Sequence, residues 1–547
     1  MKNNIFGFLI LSTILLLASC SKTSLDLKDP VSPTISSINS ESGVVPFALG
    51  MWTKFAGADY WIAAHNHSIM GDEAFIPWGN YGWRWASQVF KITLPDGTVV
   101  TNPIGPAQKI QLQSTNSREA GEYNTFQYEW TAMYYTIASA NTLLNVAKAP
   151  SFTFSGDAAT KQKVLKAWAY WWRGWAYSRI GSMYIAGVVN NLSGASNYIN
   201  NNFVSSADII KEANANLDSA KTVLTGMTTN STYTSMLDGS STSIVPAFCN
   251  KNGIPSPDNW SRLCNTMKAR NLLVNKKTKN FTTADWLEVQ NLASTGLKSG
   301  DVTFTMGFTS DGNNDIVGLF WTPSIMLSDN NGNGGWLFCS ERLIQEYKTG
   351  DARFTRNFIS DYGIVLMNPR SRGIQYGTVY HAIDAEDGGD FTTMDNTTNV
   401  QAYIAPSYEE NELMLAEAKI NQNNIDAGLT HVDNVRSYQK ASLTTVSGKG
   451  LTLALAKEEL RRERRVALFL RGTAFYDARR WNVIAPVADG GGRAGANILV
   501  PKGYGTYTTN AIRPCFMEYN YMDYFDVPKN ELDFNPSSAT SVPVRQQ

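Results

Sequence analysis

The chain has no surplus of charge of either sign. Lys and Arg together number 47, Asp and Glu also number 47, and the formal net charge is zero. A nucleic-acid binder draws its affinity largely from neutralising phosphates, so this balance argues against that class, the basic run at Arg461–Arg465 notwithstanding. Histidine is scarce: His65, His67, His381 and His431 are the full set, with no HExxH and no triad-like setting. His65 and His67, two apart, need ligands from elsewhere to hold a metal. Cysteine is thin as well, with Cys249, Cys264, Cys339 and Cys515 after Cys20. No CxxC occurs, which disfavours zinc and thioredoxin-like chemistry. Cys249 with Cys264 is a candidate disulfide in an oxidising compartment, and free buried thiols are an equal reading. After Leu17 no apolar run is long enough to span a bilayer as a helix.

One apolar run does occur, at the start. Lys2 supplies a positive charge, and Ile5 to Leu17 is interrupted only by Gly7, Ser12 and Thr13. That length is short for a membrane span and suits a signal peptide. Leu17-Ala18-Ser19-Cys20 follows directly and reads as a lipobox. The expectation is a signal peptide at 1–19, removed in the mature protein, with Cys20 lipidated. An ordinary signal peptide with an incidental cysteine is the alternative. Each buried acyl CH₂ contributes about 0.8 kcal/mol, so several chains anchor a protein firmly. Residues 20–40, polar and rich in Ser, Asp, Lys and Pro, read as a flexible tether.

The remainder, 41–547, is long enough for several domains or one large fold, and 43% hydrophobic content supplies a core. Apolar residues recur at helical spacing in Glu129–Ala147 and more strongly in Lys161–Ile180. There Trp168, Trp171, Trp172 and Trp175 share one face, read as core. Ser206–Leu224, Asp258–Val274 and Thr283–Leu297 read as further helices. From about 301 to 404 the periodicity fades and Gly, Asn, Asp and Thr crowd in, which predicts loop with a few short strands. Helices return at Ser407, where Ser407 and Glu410 have the spacing of a capping box. The turn Asn421–Asn424 is too short for anything but an antiparallel pair. Another helix covers Leu453–Leu470. Its charged block, Glu458-Glu459-Leu460-Arg461-Arg462-Glu463-Arg464-Arg465, reads as a solvated, ion-paired face. The predicted fold is mostly α: stacked helical hairpins, with a core in 41–300 and 405–485 and a loop-rich excursion between.

Arg461-Arg462-Glu463-Arg464-Arg465, then Gly472, then Phe475-Tyr476-Asp477-Ala478-Arg479-Arg480-Trp481 resembles the signature of the SusD/RagB family. So does Leu413-Met414-Leu415-Ala416-Glu417-Ala418 with Asn434-Val435-Arg436. Phe525-Asp526-Val527-Pro528, Glu531 and Asn535-Pro536 are similar to the family's closing segment. Cys20 with Leu25-Asp26 and Pro30 matches its start, and Gly71-Asp72-Glu73 and Asn141 fall where the family has comparable residues. The chain departs at Ala467 and Arg471, where the family has acids, and at Ala474, where it has Arg. That implies a divergent member with a rewired ion-pair network.

The resemblance implies a single TPR-like helical domain over 41–547. It implies a lipoprotein on the outer membrane, exposed at the cell surface. Such a protein would bind a glycan or an oligopeptide and act as the lid of a SusC-like TonB-dependent transporter, with no catalysis and no cofactor. Flat rings hold the C–H faces of sugars, and loops carry function disproportionately. The candidate ligand contacts are therefore the loop aromatics Trp78, Tyr81, Trp83 and Trp85, and Trp321, Trp336, Tyr376 and Tyr380. Asp329, Asn331 and Asn333 with Gly334 match the start of an EF-hand, but the twelfth position is Ser340, so an Asn/Gly-rich turn is preferred to a Ca²⁺ site. Two rivals are weighed. A surface glycosidase would draw on Asp72-Glu73 or on Asp384, Glu386, Asp387 and Asp390, but nothing in the sequence pairs these acids. A purely protein-binding scaffold fits the hairpins well and the loop aromatics less well.

Overall fold

The computed structural model describes residues 35–52, 58–103, 105–149, 152–191, 200–247, 249–307, 337–360, 363–368, 372–391 and 401–546. Cys20 and the N-terminal run lie outside them. The helices of ten residues or more are α1 (Glu41–Gly50), α2 (Ala58–Met70), α3 (Gln127–Lys148), α4 (Ala158–Met183), α5 (Ser206–Leu224), α6 (Pro257–Val274), α7 (Thr283–Ser294), α8 (Tyr408–Asn421), α9 (Ile425–Tyr438) and α10 (Leu453–Ala467). From α3 to α6 each packs on the next, α7 packs on α6 and α8, and α8 and α9 both contact α10. The predicted stack of hairpins is the architecture found. Starts are set by side-chain caps: Ser205, Ser256 and Thr282 each accept a backbone N–H of the first turn. At α8 the expected capping box is only half made. Ser407 accepts from the Glu410 N–H at 3.4 Å, but the Glu410 carboxylate is drawn to Arg270.

Two observations explain why α8 sits at the centre of the stack. Leu413, Ala416 and Ile420 pack with α9 and α10. Met414, Leu415 and Ala418 pack with Trp286 and Leu273 of the facing pair. The helix is buried on both sides, so a single amphipathic stripe is not visible in its sequence. The Trp stripe of α4 is core, as read. Trp168, Trp171, Trp172 and Trp175 are at most 1% exposed, and Trp168, Trp171 and Trp172, with Trp260 of α6, surround the ring of Phe304.

The charged block of α10 is ion-paired, as expected, but only partly solvated. Glu463 and Arg464 are buried. Glu463 accepts from Arg353 at 2.5 Å and from Arg436 at 2.8 Å. Arg464 reaches Asp477 at 2.9 Å, and Asp477 also takes Arg480, which in turn binds Glu417. Spacing along one helix cannot reveal partners that come from four other segments. At one family departure, Arg471 lies over Tyr403, its Cζ 3.2 Å from the ring centre, and 3.5 Å from Glu409.

The largest sheet has six antiparallel strands: β1 (Lys91–Thr93), β2 (Val99–Thr101), β3 (Val365–Leu366), β4 (Gly377–Thr378), β5 (Arg493–Val500) and β6 (Ala511–Glu518), in the order β2-β1-β6-β5-β4-β3. The β5–β6 pair was not expected. Pro514 lies inside β6, which normally argues against a strand, but β1 pairs only from Phe516 onward, so Pro514 has a neighbour on one side alone. The remaining strands form two-residue or three-residue ribbons, in keeping with the loop-rich middle. Cys249, Cys264, Cys339 and Cys515 are free and buried, so the Cys249–Cys264 disulfide is not formed. Among the described residues no helix is long and apolar enough to cross a membrane.

Candidate functional site

The turn after α2 aims the first aromatic loop. Gly71 approaches the helix Ala474–Arg480 so closely that a Cβ there would stand 2.4 Å from Ala474 Cβ, which leaves room for glycine alone. Asp72 has φ +53° and binds the buried Arg342 guanidinium at 2.7 Å and the Tyr519 hydroxyl. Burial pulls the Asp72 carboxyl upward, but Arg342 overrides it and holds the pKa below the usual carboxylate value. Glu73 is enclosed too, and accepts from the Ser68 hydroxyl at 2.8 Å. The adjacent acids weighed for a glycosidase therefore brace the turn and do not face a cleft together. Ala74-Phe75 then pairs with Phe338-Cys339, and the loop from Ile76 to Gln88 leaves from that ribbon.

Burial pushes the Glu73 carboxyl up to about 7, with the Ser68 hydroxyl and Arg465 opposing and Asp477 adding to the rise. The unfolded chain releases this proton near 4.5, so between about 4.5 and 7 the folded state binds more protons. Stability tied to this group is full below that window and is lost as pH rises through it. Glu73→Gln, neutral at every pH, is expected to melt above the unaltered protein at pH 8, with the gap closing toward pH 5. Thermal melts across that range check it.

Within the loop the structure separates four candidates that the sequence treated alike. Trp83 is fully enclosed, edge-on to Trp61 at 5.2 Å and to Tyr81 at 5.1 Å. Its ring has no free face, so it anchors the loop and is not a ligand contact. Tyr81, half-buried with φ +54°, links Trp83 to Tyr128. A non-glycine residue in that conformation is held there by its surroundings. Trp78 is 48% exposed, and Trp85 is half-buried under the Arg84 guanidinium, 5.0 Å away. Tyr123, 42% exposed, meets Trp85 at 5.9 Å. Trp78, Tyr81, Trp85 and Tyr123 are thus the exposed or half-exposed rings of this loop and its neighbour, with Arg84 over Trp85. Gln88 ties the loop down by donating to Arg84 O, Asn368 Oδ1 and Arg372 O. Tyr123 was missed because it lies in a short turn, Gly121–Tyr123, outside the two loops searched.

In the middle segment, Trp321, Trp336 and the weighed Ca²⁺ ligands Asp329, Asn331 and Asn333 lie outside the described residues. Tyr376 is 3% exposed beneath Arg342 and is a packing residue. Tyr380 is half-buried against Phe354. Two of the loop acids are engaged within the fold: Asp384 is buried, and Asp390 is held by Arg356 at 2.6 Å and Asn357 at 3.0 Å. Among the described residues no group of three or more His, Cys, Asp or Glu is placed to hold a metal.

A concavity of about 490 Å³ opens where β-ribbon, α9 and α10 meet. Tyr403, Tyr438, Asn357, Gln401 and Gln439 line it, with the Arg356–Asp390 pair. Tyr438 is 46% exposed although it is on a helix. The rule that helical aromatics belong to the core hid it.

Residues 408–539 match the model of the SusD family. No curated protein sequence matches the chain. Several solved structures share the fold. A SusD-like carbohydrate binding protein from Bacteroides vulgatus is 13% identical, with a TM-score of 0.53, over 92% of this chain and 98% of that one. A structure with xylogluco-oligosaccharide is 16% identical, with a TM-score of 0.55, over 93% and 99%. NanU from B. fragilis is 13% identical, with a TM-score of 0.52, over 95% and 100%.

Proposed function

Since residues 408–539 match the model of the SusD family and the chain shares the fold of SusD superfamily structures, we propose that it is a member that captures a glycan on its loop face and passes it to a TonB-dependent outer-membrane transporter, for which it serves as lid. The lipobox at Cys20 fits an anchor that holds the protein at the cell surface. One observation supports the binding site: Trp78 and Trp85, on a loop that Trp83 and Gln88 fix in place, and Tyr123, on the neighbouring turn, present ring surface. Rigid rings cost little entropy to order and suit the apolar faces of sugars. The relatives crystallised as carbohydrate binding protein and with xylogluco-oligosaccharide support a glycan over an oligopeptide.

The test is calorimetric titration of a glycan panel and an oligopeptide panel. At least one glycan is expected to bind, without being hydrolysed. Trp78→Ala with Tyr123→Ala is expected to weaken that binding at least tenfold, equivalent to about 1.4 kcal/mol, and to leave the melting temperature nearly unchanged because both rings are exposed. No glycan binding, or an unaltered affinity in the double variant, overturns the site. Recovery of a large β-barrel transporter with the C-terminally tagged protein from gently solubilised outer membrane tests the partner. Recovery of the protein alone counts against the lid.

A further inference from the structure

The ion networks near the signature helix balance, with one exception. Lys348, Arg353 and Arg436 face Asp351, Glu459 and Glu463. Arg464 and Arg480 face Asp477 and Glu417. Where α10 meets the start of β5 and the turn after α2, the count differs. Five guanidinium groups, Arg342, Arg461, Arg462, Arg465 and Arg493, gather around three carboxylates, Asp72, Glu346 and Glu458. Five less three leaves two positive charges while Glu73, whose buried carboxyl also faces Arg465, is protonated.

Glu346, whose side chain is 1% exposed, is the hub. It accepts from Arg461 at 2.8 and 2.7 Å and from Arg493, and it stands 3.4 Å from Arg465 and 4.0 Å from Arg462. One carboxylate thus answers four cations. Arg465 spends its terminal N–H groups on carbonyls, Gly71 O at 3.1 Å and Asp72 O at 2.8 Å, and its Nε has no hydrogen-bond partner. Burial, then the charge of Arg493, pulls the Arg465 pKa below its ordinary value, the sign of a cation crowded by its own kind. In front of these groups is a cavity of about 350 Å³, lined by Arg461, Arg465, Arg493 and Trp481, and also by Asp72 and Glu458, whose charges Arg342 and Arg461 already answer. That volume is at the lower end for small-molecule sites. Arg480 covers the Trp481 ring at 4.6 Å, and Trp481 is half-buried.

We propose that this cavity binds the carboxylate of a small organic acid whose carbon skeleton rests on Trp481, as a hexuronic acid unit would. Guanidinium forks match a carboxylate in two parallel hydrogen bonds. The ligand's charge supplies what the protein's own three carboxylates leave unmet. The Trp481 wall favours a ligand with an apolar face over inorganic phosphate, which has none. The site shares no residue with the aromatic loop and stands whether or not that loop binds glycan.

The experiment is calorimetric titration of the full-length protein with glucuronate, glucose, an N-acetylated dipeptide and inorganic phosphate, at low and at high salt. Glucuronate is expected to bind, to weaken at high salt, and to exceed glucose by at least about tenfold, the range of one bidentate charged contact. Glu458→Gln, at an exposed carboxylate, raises the surplus to three and is expected to tighten glucuronate severalfold. Arg493→Gln is expected to weaken it at least about tenfold. Tighter binding of the dipeptide than of glucuronate assigns the same carboxylate site to peptide ends. The proposal falls if glucuronate fails to bind the unaltered protein. It also falls if glucose or phosphate binds as tightly, or if Glu458→Gln leaves the affinity unchanged.

Discussion

Asp477→Ala is expected to destabilise the protein by about 3–5 kcal/mol, the range for breaking a buried ion pair from one side. Asp477 is 3% exposed and lies between Arg464, at 2.9 Å, and Arg480, at 2.7 Å. Its removal leaves two enclosed guanidinium groups with Glu417 alone to answer them, at 2.5 and 2.8 Å from Arg480. Asp477→Asn keeps the volume and one acceptor but not the charge, and is expected to cost less. Urea unfolding of the three proteins measures this. A Asp477→Ala midpoint equal to that of the unaltered protein would show that the aromatic-Asp-x-x-Arg-Trp signature is not a structural lock. The functional consequence is a division of labour: the residues of that signature hold helices together, and the rings proposed to meet ligand lie elsewhere.

Trp171→Ala is expected to cost a similar amount, about 3–5 kcal/mol, through lost transfer energy and the cavity left behind. Trp171 is fully enclosed, with its ring 5.6 Å from Phe304 and 6.4 Å from Trp172. Phe304 immediately precedes the strand Thr305–Gly307, which pairs with Gln401–Tyr403 at the two ends of the loop-rich excursion. The indole cluster therefore clamps the base of that excursion to the helical stack. A melting temperature unchanged in Trp171→Ala would mean the cluster repacks and the clamp is loose. In contrast to Trp78→Ala with Tyr123→Ala, the expected loss is in folding and not in ligand affinity.

How much of this was legible in the sequence depended on how local each cause was. Period and caps placed α3 to α7 within a few residues, because Ser205, Ser256 and Thr282 act on their own first turns. The burial within the charged block was missed because its partners, Arg353, Arg436, Asp477 and Glu346, are distant in the chain. Glu410 shows the same failure in miniature: its spacing from Ser407 promised a local bond, and Arg270 took it. Strands β5 and β6 escaped notice since Pro514 broke the pattern of one of them. For the proposed site, composition pointed to an aromatic loop but could not rank Trp78 against Trp83, whose exposures of 48% and 0% are decided by Trp61 and Tyr81 packing over the latter. The divergence at Arg471 was legible as a departure, but its stacking on Tyr403 was not.

The six-stranded sheet couples the two ends of the chain. β1, at Lys91–Thr93, finds its partner in Phe516–Glu518, and nearby Gln113 donates to Asp526, 413 positions away. Closing so long a loop is costly in chain entropy and slow. A polypeptide exported N-terminus first cannot complete this sheet until its final segment has emerged. For a chain exported as the Cys20 lipobox predicts, the delay would be useful: the chain would stay threadable through a narrow translocon and lock into shape only after the last strand arrives on the far side.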